Sequence, residues 1–305
     1  MTMSLLAVGS VAFDDLETPF GRREHVLGGS ATYFSLSASR FHPVRIVAVV
    51  GEDFGPEQMR VFDQRPIDLT GLARVEGLSF HWKGSYGYDL NEAKTLATDL
   101  NVFADFRPDL PAAFRDSPYL FLGNIDPVLQ LDVVRQMSSR PKWIALDTMN
   151  YWIRGAQPAL LTVLKEVDIL LVNDAEVREL TQEHSLIKAY RKIQALGPGI
   201  LVVKRGEYGV LLFTPGGIFA APAYPLESVF DPTGAGDTFA GGFLGYLASV
   251  ERTDTTALKH ATLVGSVMAS FTVEQFSTER LEQISQDEVR NRLSLFSDMI
   301  RVEDL

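Results

Sequence analysis

The sequence predicts an α/β fold in which a doubly wound, mostly parallel sheet is covered by helices on both faces and carries a small β-strand appendage. From about residue 117, short apolar runs alternate with segments of helical periodicity. This alternation is typical of parallel α/β sheets. The stretch 78–103 instead mixes polar and apolar residues in near alternation, which favours half-exposed strands outside the main sheet.

The individual elements follow from short-range patterns. Strands are predicted where apolar and β-branched residues stand together, at 5–8, 45–50, 119–122, 143–147, 169–173, 200–204 and 209–213. Helical spacing predicts helices at 28–41, 158–166, 175–181, 185–196, after residue 231, at 254–271 and at 286–296. Because no repeat or low-complexity linker interrupts this order, residues 1–305 are expected to form a single domain.

Composition excludes several classes of protein. The chain has 305 residues, no cysteine and a formal net charge of −11. Disulfides, thiolate nucleophiles and zinc–thiolate sites are therefore ruled out, and no basic stripe is present for nucleic acid. No apolar run approaches the ~20 residues that span a bilayer, and the start lacks the pattern of a secretory signal. We expect a cytoplasmic enzyme without nucleic-acid or membrane partners.

The segment DPTGAGD, residues 231–237, carries the main functional signal, and we call it the anion loop. It passes from turn residues into a small-residue helix, where the amides of Gly234, Ala235 and Gly236 can point outward and bind an anion. Asp237 beside them could accept a proton from an attacking hydroxyl while the amides stabilise a transferred phosphoryl group. A tight turn with Asp237 as a helix cap is an equally favoured alternative on spacing alone.

The anion loop resembles the C-terminal signature of the ribokinase (PfkB) family, D-T-x-G-A-G-D-x-F-x-G-G. The matching positions are Asp231, Thr233, Gly234, Ala235, Gly236, Asp237, Phe239, Gly241 and Gly242. Pro232 stands where the family more often has Thr. The resemblance implies that Asp237 is the catalytic base and that Gly234, Ala235 and Gly236 form an anion hole for the γ-phosphoryl group of ATP.

Earlier segments resemble the family's acceptor-binding motifs. GSVAFD at residues 9–14 is similar to G-[NS]-x-x-x-D, which implies that Asp14 binds substrate hydroxyls. Gly28 and Gly29 are similar to the start of G-G-x-x-x-N, but Tyr33 stands at the usual Asn position. Its ring either stacks on a flat substrate group or faces the core. The resemblance thus assigns the substrate side to Asp14, Gly28, Gly29, Tyr33 and Asp237.

The nucleotide side is marked by two further motifs. Asn173 and Glu176 resemble N-x-x-E, which implies that Glu176 organises Mg²⁺ through water. Lys204 and Gly206 resemble K-x-G-x-x-G beside the nucleotide. Without the resemblance, these residues describe an ordinary helix start and a solvated basic residue. The residues implied to bind the nucleotide are Asn173, Lys204, Gly206, Thr233, Gly234 and Gly236. Some family members also bind K⁺ near the anion loop, which the sequence leaves open.

The resemblance spans the chain and implies a ribokinase-like three-layer αβα fold, with a lid formed by residues of about 15–26 and 75–104. We therefore expect an ATP-dependent kinase that transfers the γ-phosphoryl group to a hydroxyl of a small acceptor. TLATDLNVFADF, FLGNIDP and DTMNYWI are similar to a nucleoside-kinase-like bacterial subgroup.

Two classes of acceptor fit this expectation. A nucleoside such as adenosine is favoured, with a ribose- or fructose-type sugar as the alternative. Lid rings suit stacking on a base, or burial within the lid itself; the candidates are Phe80, Trp82, Tyr86 and Tyr88. A non-catalytic nucleotide-binding regulatory protein is the alternative from another class. The family also implies a homodimer through the lid.

Overall fold

A nine-stranded sheet forms the centre of the protein, for which a computed structural model describes residues 4–301. In chain order the strands of the molecule are β1 (Leu5–Val8), β2 (Ala12–Thr18), β3 (Gly21–Gly28), β4 (Val44–Val50), β5 (Ile67–Arg74), β6 (Phe80–Tyr86), β7 (Ala93–Asp99), β8 (Tyr119–Leu122), β9 (Trp143–Asp147), β10 (Ile169–Asn173), β11 (Ile200–Lys204), β12 (Val210–Thr214) and β13 (Gly217–Ala221). The central sheet has the order β13-β12-β11-β10-β9-β8-β1-β4-β5. Its neighbours pair in parallel except at β11–β12 and β12–β13, which confirms the predicted mostly parallel sheet.

Helices cover both faces of this sheet. They are α1 (Ser30–Ala38), α2 (Pro56–Asp63), α3 (Pro127–Gln136), α4 (Asn150–Gly155), α5 (Gln157–Leu164), α6 (Asp174–Thr181), α7 (Leu186–Leu196), α8 (Ala235–Val250), α9 (Thr255–Thr272), α10 (Glu279–Gln283) and α11 (Gln286–Ile300). Helices α1, α8 and α9 pack on one face, and α3, α5, α6 and α7 pack on the other. This is the expected three-layer αβα arrangement. No helix within residues 4–301 is both long and apolar enough to cross a bilayer.

The continuous apolar run of β1 shows why the central strands are so hydrophobic. Leu5 and Ala7 pack into the core under α1, α8 and α9, whereas Leu6 and Val8 pack into the core on the opposite face. All four are fully buried. Because successive side chains of a strand point to opposite faces, a strand covered on both sides must be apolar at every position.

A separate four-stranded sheet, the lid sheet, has the order β3-β2-β6-β7. Strand β2 pairs with β3 in antiparallel and with β6 in parallel orientation, and β6 pairs with β7 in antiparallel orientation. The strands extend beyond the expected segment 15–26, because β2 begins at Ala12 and β3 ends at Gly28. That this sheet covers a substrate stays a prediction.

The edge strands β5 and β13 were not predicted from the sequence. Strand β5 is only partly buried along its length, and β13 is mostly exposed. Edge strands of this kind lack the continuous apolar run that identifies a central strand. The helix predicted from residue 28 begins instead at Ser30, because Gly29 has a φ of 96° and lies outside the helix.

Candidate active site

The carboxyl ends of neighbouring parallel strands bring two predicted site residues, Asn173 and Lys204, to one edge of the central sheet together with Asp147. Asp147, Asn173 and Lys204 are the last residues of β9, β10 and β11, which are neighbours in the sheet. Within the central sheet, β4 and β5 lie on one side of β1, and β8 and β9 lie on the other, so the strand order changes direction at β1. Ligands of open α/β sheets bind at such a switch point, outside the carboxyl ends of the strands.

Asp231 holds the anion loop in place. It is fully buried, and its Oδ1 atom accepts a hydrogen bond from the Thr233 N–H at 2.9 Å. Its Oδ2 atom accepts one from the Ser277 N–H at 2.9 Å, which ties the loop to the segment after α9. Gly234 then adopts a left-handed conformation with φ of 72° and precedes the first residue of α8. This backbone favours glycine, which has no Cβ to clash.

The structure corrects the prediction at Ala235. Its N–H donates to the carbonyl oxygen of Pro232 at 3.2 Å, because a turn closes over residues 232–235 before α8 begins. The first regular helical bond of this segment runs from the Thr238 N–H to the Gly234 oxygen at 2.8 Å. The amides of Gly236 and Asp237 belong to the first turn of α8, where N–H groups lack intrahelical partners. An anion here would therefore meet those amides rather than that of Ala235.

Lys204 supplies a positive charge at the same turn. Its ammonium nitrogen lies 2.9 Å from Asp147 Oδ2 and 2.9 Å from the position that a Cβ on Gly236 would occupy. Burial lowers the pKa of Lys204, but the carboxylates of Asp147, Glu176 and Asp237 outweigh it and raise that pKa overall. The ammonium group is thus kept charged beside the amides at the start of α8.

Asp237 is half-buried beside the same group of charges. Burial raises its pKa, and the Asp147 carboxylate raises it further, whereas Lys204 acts in the opposite direction. A carboxyl group with a raised pKa is a stronger base than an ordinary aspartate once it is ionised. The residue that sequence analysis assigned as the base therefore stands in surroundings suited to proton transfer.

Asp14 lies on the acceptor side of the site. It is only 4% exposed, and its carboxyl oxygen lies 2.0 Å from the position of a Cβ on Gly28, so only glycine fits there. Burial raises the pKa of Asp14, followed by the carboxylates of Asp231 and Asp237. Gly29 also packs closely, since a Cβ there would lie 2.5 Å from the Ser10 oxygen. The two glycines therefore shape the backbone around Asp14.

Tyr33 lies in the core, which decides between the two alternatives for its ring. It is 1% exposed, and its ring lies 2.4 Å from the position of a Cβ on Gly234. The ring thus packs beneath the anion loop and has no open face. The core-facing alternative describes this residue.

Glu176 and Asn173 form a reciprocal cap at the start of α6. The Asn173 N–H donates to Glu176 Oε2 at 2.7 Å, and the Glu176 N–H donates to Asn173 Oδ1 at 2.7 Å. Burial raises the pKa of Glu176, and Asp147 raises it further. The reciprocal hydrogen bonds are those expected of an ordinary helix start. They also hold the Glu176 carboxyl group at the edge of the sheet.

Oxygen atoms that follow β8 and β9 at the edge of the sheet are of a kind that fits a hydrated Mg²⁺. Oxygens of Asn124, Thr148 and Asn150, which follow β8 and β9, are buried without a protein hydrogen-bond partner. Oxygen donors are the ligands that Mg²⁺ prefers, and this ion usually keeps several waters. Within residues 4–301, no cluster of three or more His, Asp or Glu side chains is arranged to bind a metal.

Contacts between the lid sheet and the site were missed by sequence analysis. Tyr86 accepts a hydrogen bond from the Thr233 hydroxyl at 3.0 Å. Asn91, in the loop between β6 and β7, lies 2.4 Å from the position of a Cβ on Gly206. These pairs are far apart in the chain, and no local pattern signals them.

Comparisons with known proteins show which family the chain resembles along its length. The family model described as pfkB family carbohydrate kinase matches residues 7–283. A cytidine kinase from Thermococcus kodakarensis is 28% identical over 246 residues, covering 79% of this chain and 87% of the relative. A nucleoside kinase from Methanothermobacter thermautotrophicus is 27% identical over 299 residues, covering 90% and 91%.

The fold is shared with a solved nucleoside kinase from Burkholderia thailandensis, in complex with ADP-inosine. The two structures superpose with a TM-score of 0.76 at 18% identity, covering 96% of this chain and 95% of the other. The match over residues 7–283 is decisive because it includes both the anion loop and the acceptor-side glycines. The chain therefore belongs to the PfkB family and is a nucleoside or sugar kinase, a phosphotransferase with an alcohol group as acceptor.

Proposed function

We propose that this protein is an ATP- and Mg²⁺-dependent nucleoside kinase that phosphorylates a hydroxyl of a nucleoside such as adenosine. The observation that carries the proposal is the position of Asp237 between two kinds of group. On one side are the Lys204 ammonium and the Gly236 amide, which suit an anion. On the other is Asp14, whose pKa is raised by burial and by carboxylates that include Asp237.

This arrangement suits in-line phosphoryl transfer. The acceptor hydroxyl would approach Asp237, which takes its proton as the new oxygen–phosphorus bond forms, while the bond from the γ-phosphorus to the bridging oxygen breaks and ADP leaves. Charge on the transferred group would be stabilised by the Gly236 amide and by Lys204, both fixed before the reaction begins. Glu176 would hold Mg²⁺ through water, and the ion would neutralise phosphate charge when bound. Asp14 would orient the acceptor through another hydroxyl.

The nucleoside acceptor is supported by the relatives and by one lid residue. The cytidine and nucleoside kinases named above match most of this chain. Trp82 is paired in register with Asp14, so both side chains leave the lid sheet on the same face. The ring of Phe80 instead stacks on Phe103 at 5.3 Å, and Tyr88 is 85% exposed. Trp82 is thus a lid ring on the same face as Asp14, where it suits stacking on a base.

An ADP-release assay with nucleosides and sugars side by side tests the proposal. We expect turnover with at least one nucleoside, at a kcat/KM well above that for ribose or fructose. Turnover with sugars alone would replace the nucleoside assignment with the sugar-kinase alternative. A requirement for K⁺ is tested in the same assay by exchanging the monovalent salt.

The variant Asp237→Asn tests the role of the base. The amide is similar in size but cannot take a proton, so we expect kcat to fall by about 10²–10⁴-fold with nucleotide binding retained. Asp109→Asn is the matched control, because that side chain is 92% exposed on the surface. Near-normal turnover by Asp237→Asn would remove Asp237 from the base role.

A further inference from the structure

A chain of hydrogen bonds joins the anion loop to two strands of the lid sheet. From β6, Tyr86 Oη accepts the hydroxyl hydrogen of Thr233 at 3.0 Å. The Thr233 N–H then donates to Asp231, which also accepts from the Ser277 N–H. The Ser277 hydroxyl donates to the Leu27 carbonyl oxygen in β3. The anion loop is therefore held between β6 and β3.

Aromatic contacts reinforce the same connection. The ring of Phe20, at the turn between β2 and β3, lies 5.9 Å from Phe230, the residue before the anion loop. The ring of Tyr88, beyond the end of β6, lies 6.4 Å from Phe20. The two hairpins of the lid sheet thus meet each other and the entry to the anion loop.

Tyr86 is also close to the reacting groups. Burial raises the pKa of its phenol, and the carboxylates of Asp231, Asp14 and Asp237 contribute to the rise. The phenol is therefore neutral at ordinary pH. Its side chain bonds to the anion loop and lies within electrostatic reach of the acceptor-side carboxylate and the base.

We propose that Tyr86 is a positioning residue, which orders the anion loop through Thr233 when the lid sheet lies over the site. This inference rests on the proposed kinase function and adds a structural requirement to it. With the lid sheet displaced, Thr233 loses the Tyr86 oxygen, and the amides at the start of α8 are less firmly placed. Phosphoryl transfer is then favoured only in the closed arrangement, from which water is excluded.

The test compares Tyr86→Phe with Tyr88→Phe. Each change removes one phenolic oxygen from the same part of the lid sheet and keeps the ring, but the Tyr88 side chain is 85% exposed. For Tyr86→Phe we expect kcat to fall by about threefold to tenfold, as for the loss of one positioning hydrogen bond. The dissociation constant for ATP and the behaviour of Tyr88→Phe should match the wild type.

Amide hydrogen exchange supplies a readout that does not require turnover. In Tyr86→Phe, the amides of residues 233–237 should exchange faster by about threefold to tenfold, with the central strands unchanged. In a double-mutant cycle, adding Tyr86→Phe to Thr233→Val should have no further effect on kcat, because the bond is already lost.

The outcomes separate this inference from the proposed function. If the wild type phosphorylates a nucleoside and Tyr86→Phe matches it in kcat and exchange, the positioning role is wrong and the function stands. If the wild type turns over no acceptor, the proposed function fails, and exchange at residues 233–237 alone decides the role of Tyr86. Faster exchange throughout Tyr86→Phe would show a general structural role and overturn the inference.

Discussion

The ammonium nitrogen of Lys204 lies 2.9 Å from Asp147 Oδ2, so that an ion pair spans the carboxyl ends of β11 and β9 beneath the start of α8. Both side chains are largely buried, with exposures of 17% and 9%. A buried pair of this kind contributes little net stability compared with apolar residues, but removal of one partner leaves an uncompensated charge. The proposed phosphate-binding role of Lys204 rests on its position beside Gly236.

The variant Lys204→Met is expected to affect both stability and turnover. Loss of the ammonium leaves Asp147 unpaired, which should lower the free energy of unfolding by about 3 kcal/mol. It also removes a charge from the anion site, so kcat should fall by about 10²-fold or more. Urea denaturation and the ADP-release assay measure the two effects.

The double variant Lys204→Met/Asp147→Asn separates these effects. Because it also removes the carboxylate that is ion-paired with Lys204, part of the lost stability should return, whereas turnover should stay low without the ammonium. Recovery of turnover together with stability would show that Lys204 acts only through the fold.

The raised pKa of Asp237 predicts the pH dependence of turnover. The base must be ionised, so kcat/KM should fall as pH is lowered through that pKa. Because burial and then Asp147 raise the pKa of Asp237, the acid limb should lie well above the ordinary aspartate value of about 3.9. A pH–rate profile of the wild type, measured at saturating Mg²⁺, locates the midpoint.

The variant Lys204→Met tests whether Asp237 is the group that controls the acid limb of the pH–rate profile. Its charge lowers the pKa of Asp237, so the acid limb of Lys204→Met should move to higher pH than in the wild type. The difference between the two proteins cancels the titration of ATP itself. An identical midpoint in both would show that a group other than Asp237 controls the limb.

The central sheet was predictable because each of its inner strands must be apolar on both faces. The segments 5–8 and 143–147, for example, were predicted with the observed bounds of β1 and β9. The resemblance of the anion loop then pointed to a kinase, and the family match over residues 7–283 confirmed it. These signals are local in sequence, which is why they can be recognised without a structure.

Tertiary contacts account for what sequence analysis missed. The burial of Tyr33 depends on the left-handed turn at Gly234, to which its ring is adjacent. The Ala235 amide bonds to the Pro232 oxygen because the chain forms a turn over residues 232–235. The bond between Tyr86 and Thr233 depends on how the lid sheet folds over the anion loop. None of these follows from the periodicity or composition of a single segment.

Gly241 is expected to be essential for the packing of α8 against α1. A Cβ at this position would lie 2.2 Å from the Phe34 carbonyl oxygen, and backbone atoms cannot move aside cheaply. Gly241→Ala should therefore lower the free energy of unfolding by about 1–3 kcal/mol through overpacking. Gly155→Ala is the matched control, because a Cβ there meets no atom within 4 Å.

The two alanine variants should differ in the sign of their effect. Gly155→Ala should be neutral or stabilising by up to about 1 kcal/mol, since it reduces the freedom of the unfolded chain. Thermal and urea unfolding of both variants measure the contrast. Equal stabilities of the two would mean that α1 and α8 move apart at little cost.

Asp14 and Asp15 are neighbours in β2 with opposite electrostatic surroundings. Burial and nearby carboxylates raise the pKa of Asp14. Burial also disfavours the ionised form of Asp15, but hydrogen bonds from the His25 N–H, His81 and Lys83 outweigh it and lower its pKa. The two side chains therefore provide matched Asp→Asn variants with opposite expected effects on stability.

For Asp14→Asn, the variant should be more stable than the wild type at neutral pH. A raised folded-state pKa means that the wild type keeps its full stability below the unfolded pKa of about 3.9 and loses about 1.4 kcal/mol for each pH unit above it, up to the folded pKa. The amide does not titrate, so the advantage of Asp14→Asn should be absent near pH 4 and grow toward pH 7.

Asp15→Asn should be less stable than the wild type at neutral pH, with a deficit that shrinks as pH falls through the lowered pKa of Asp15. Urea unfolding across this pH range measures both trends. If Asp14→Asn were less stable than the wild type at pH 7, other groups in the fold would stabilise the Asp14 carboxylate by more than burial destabilises it.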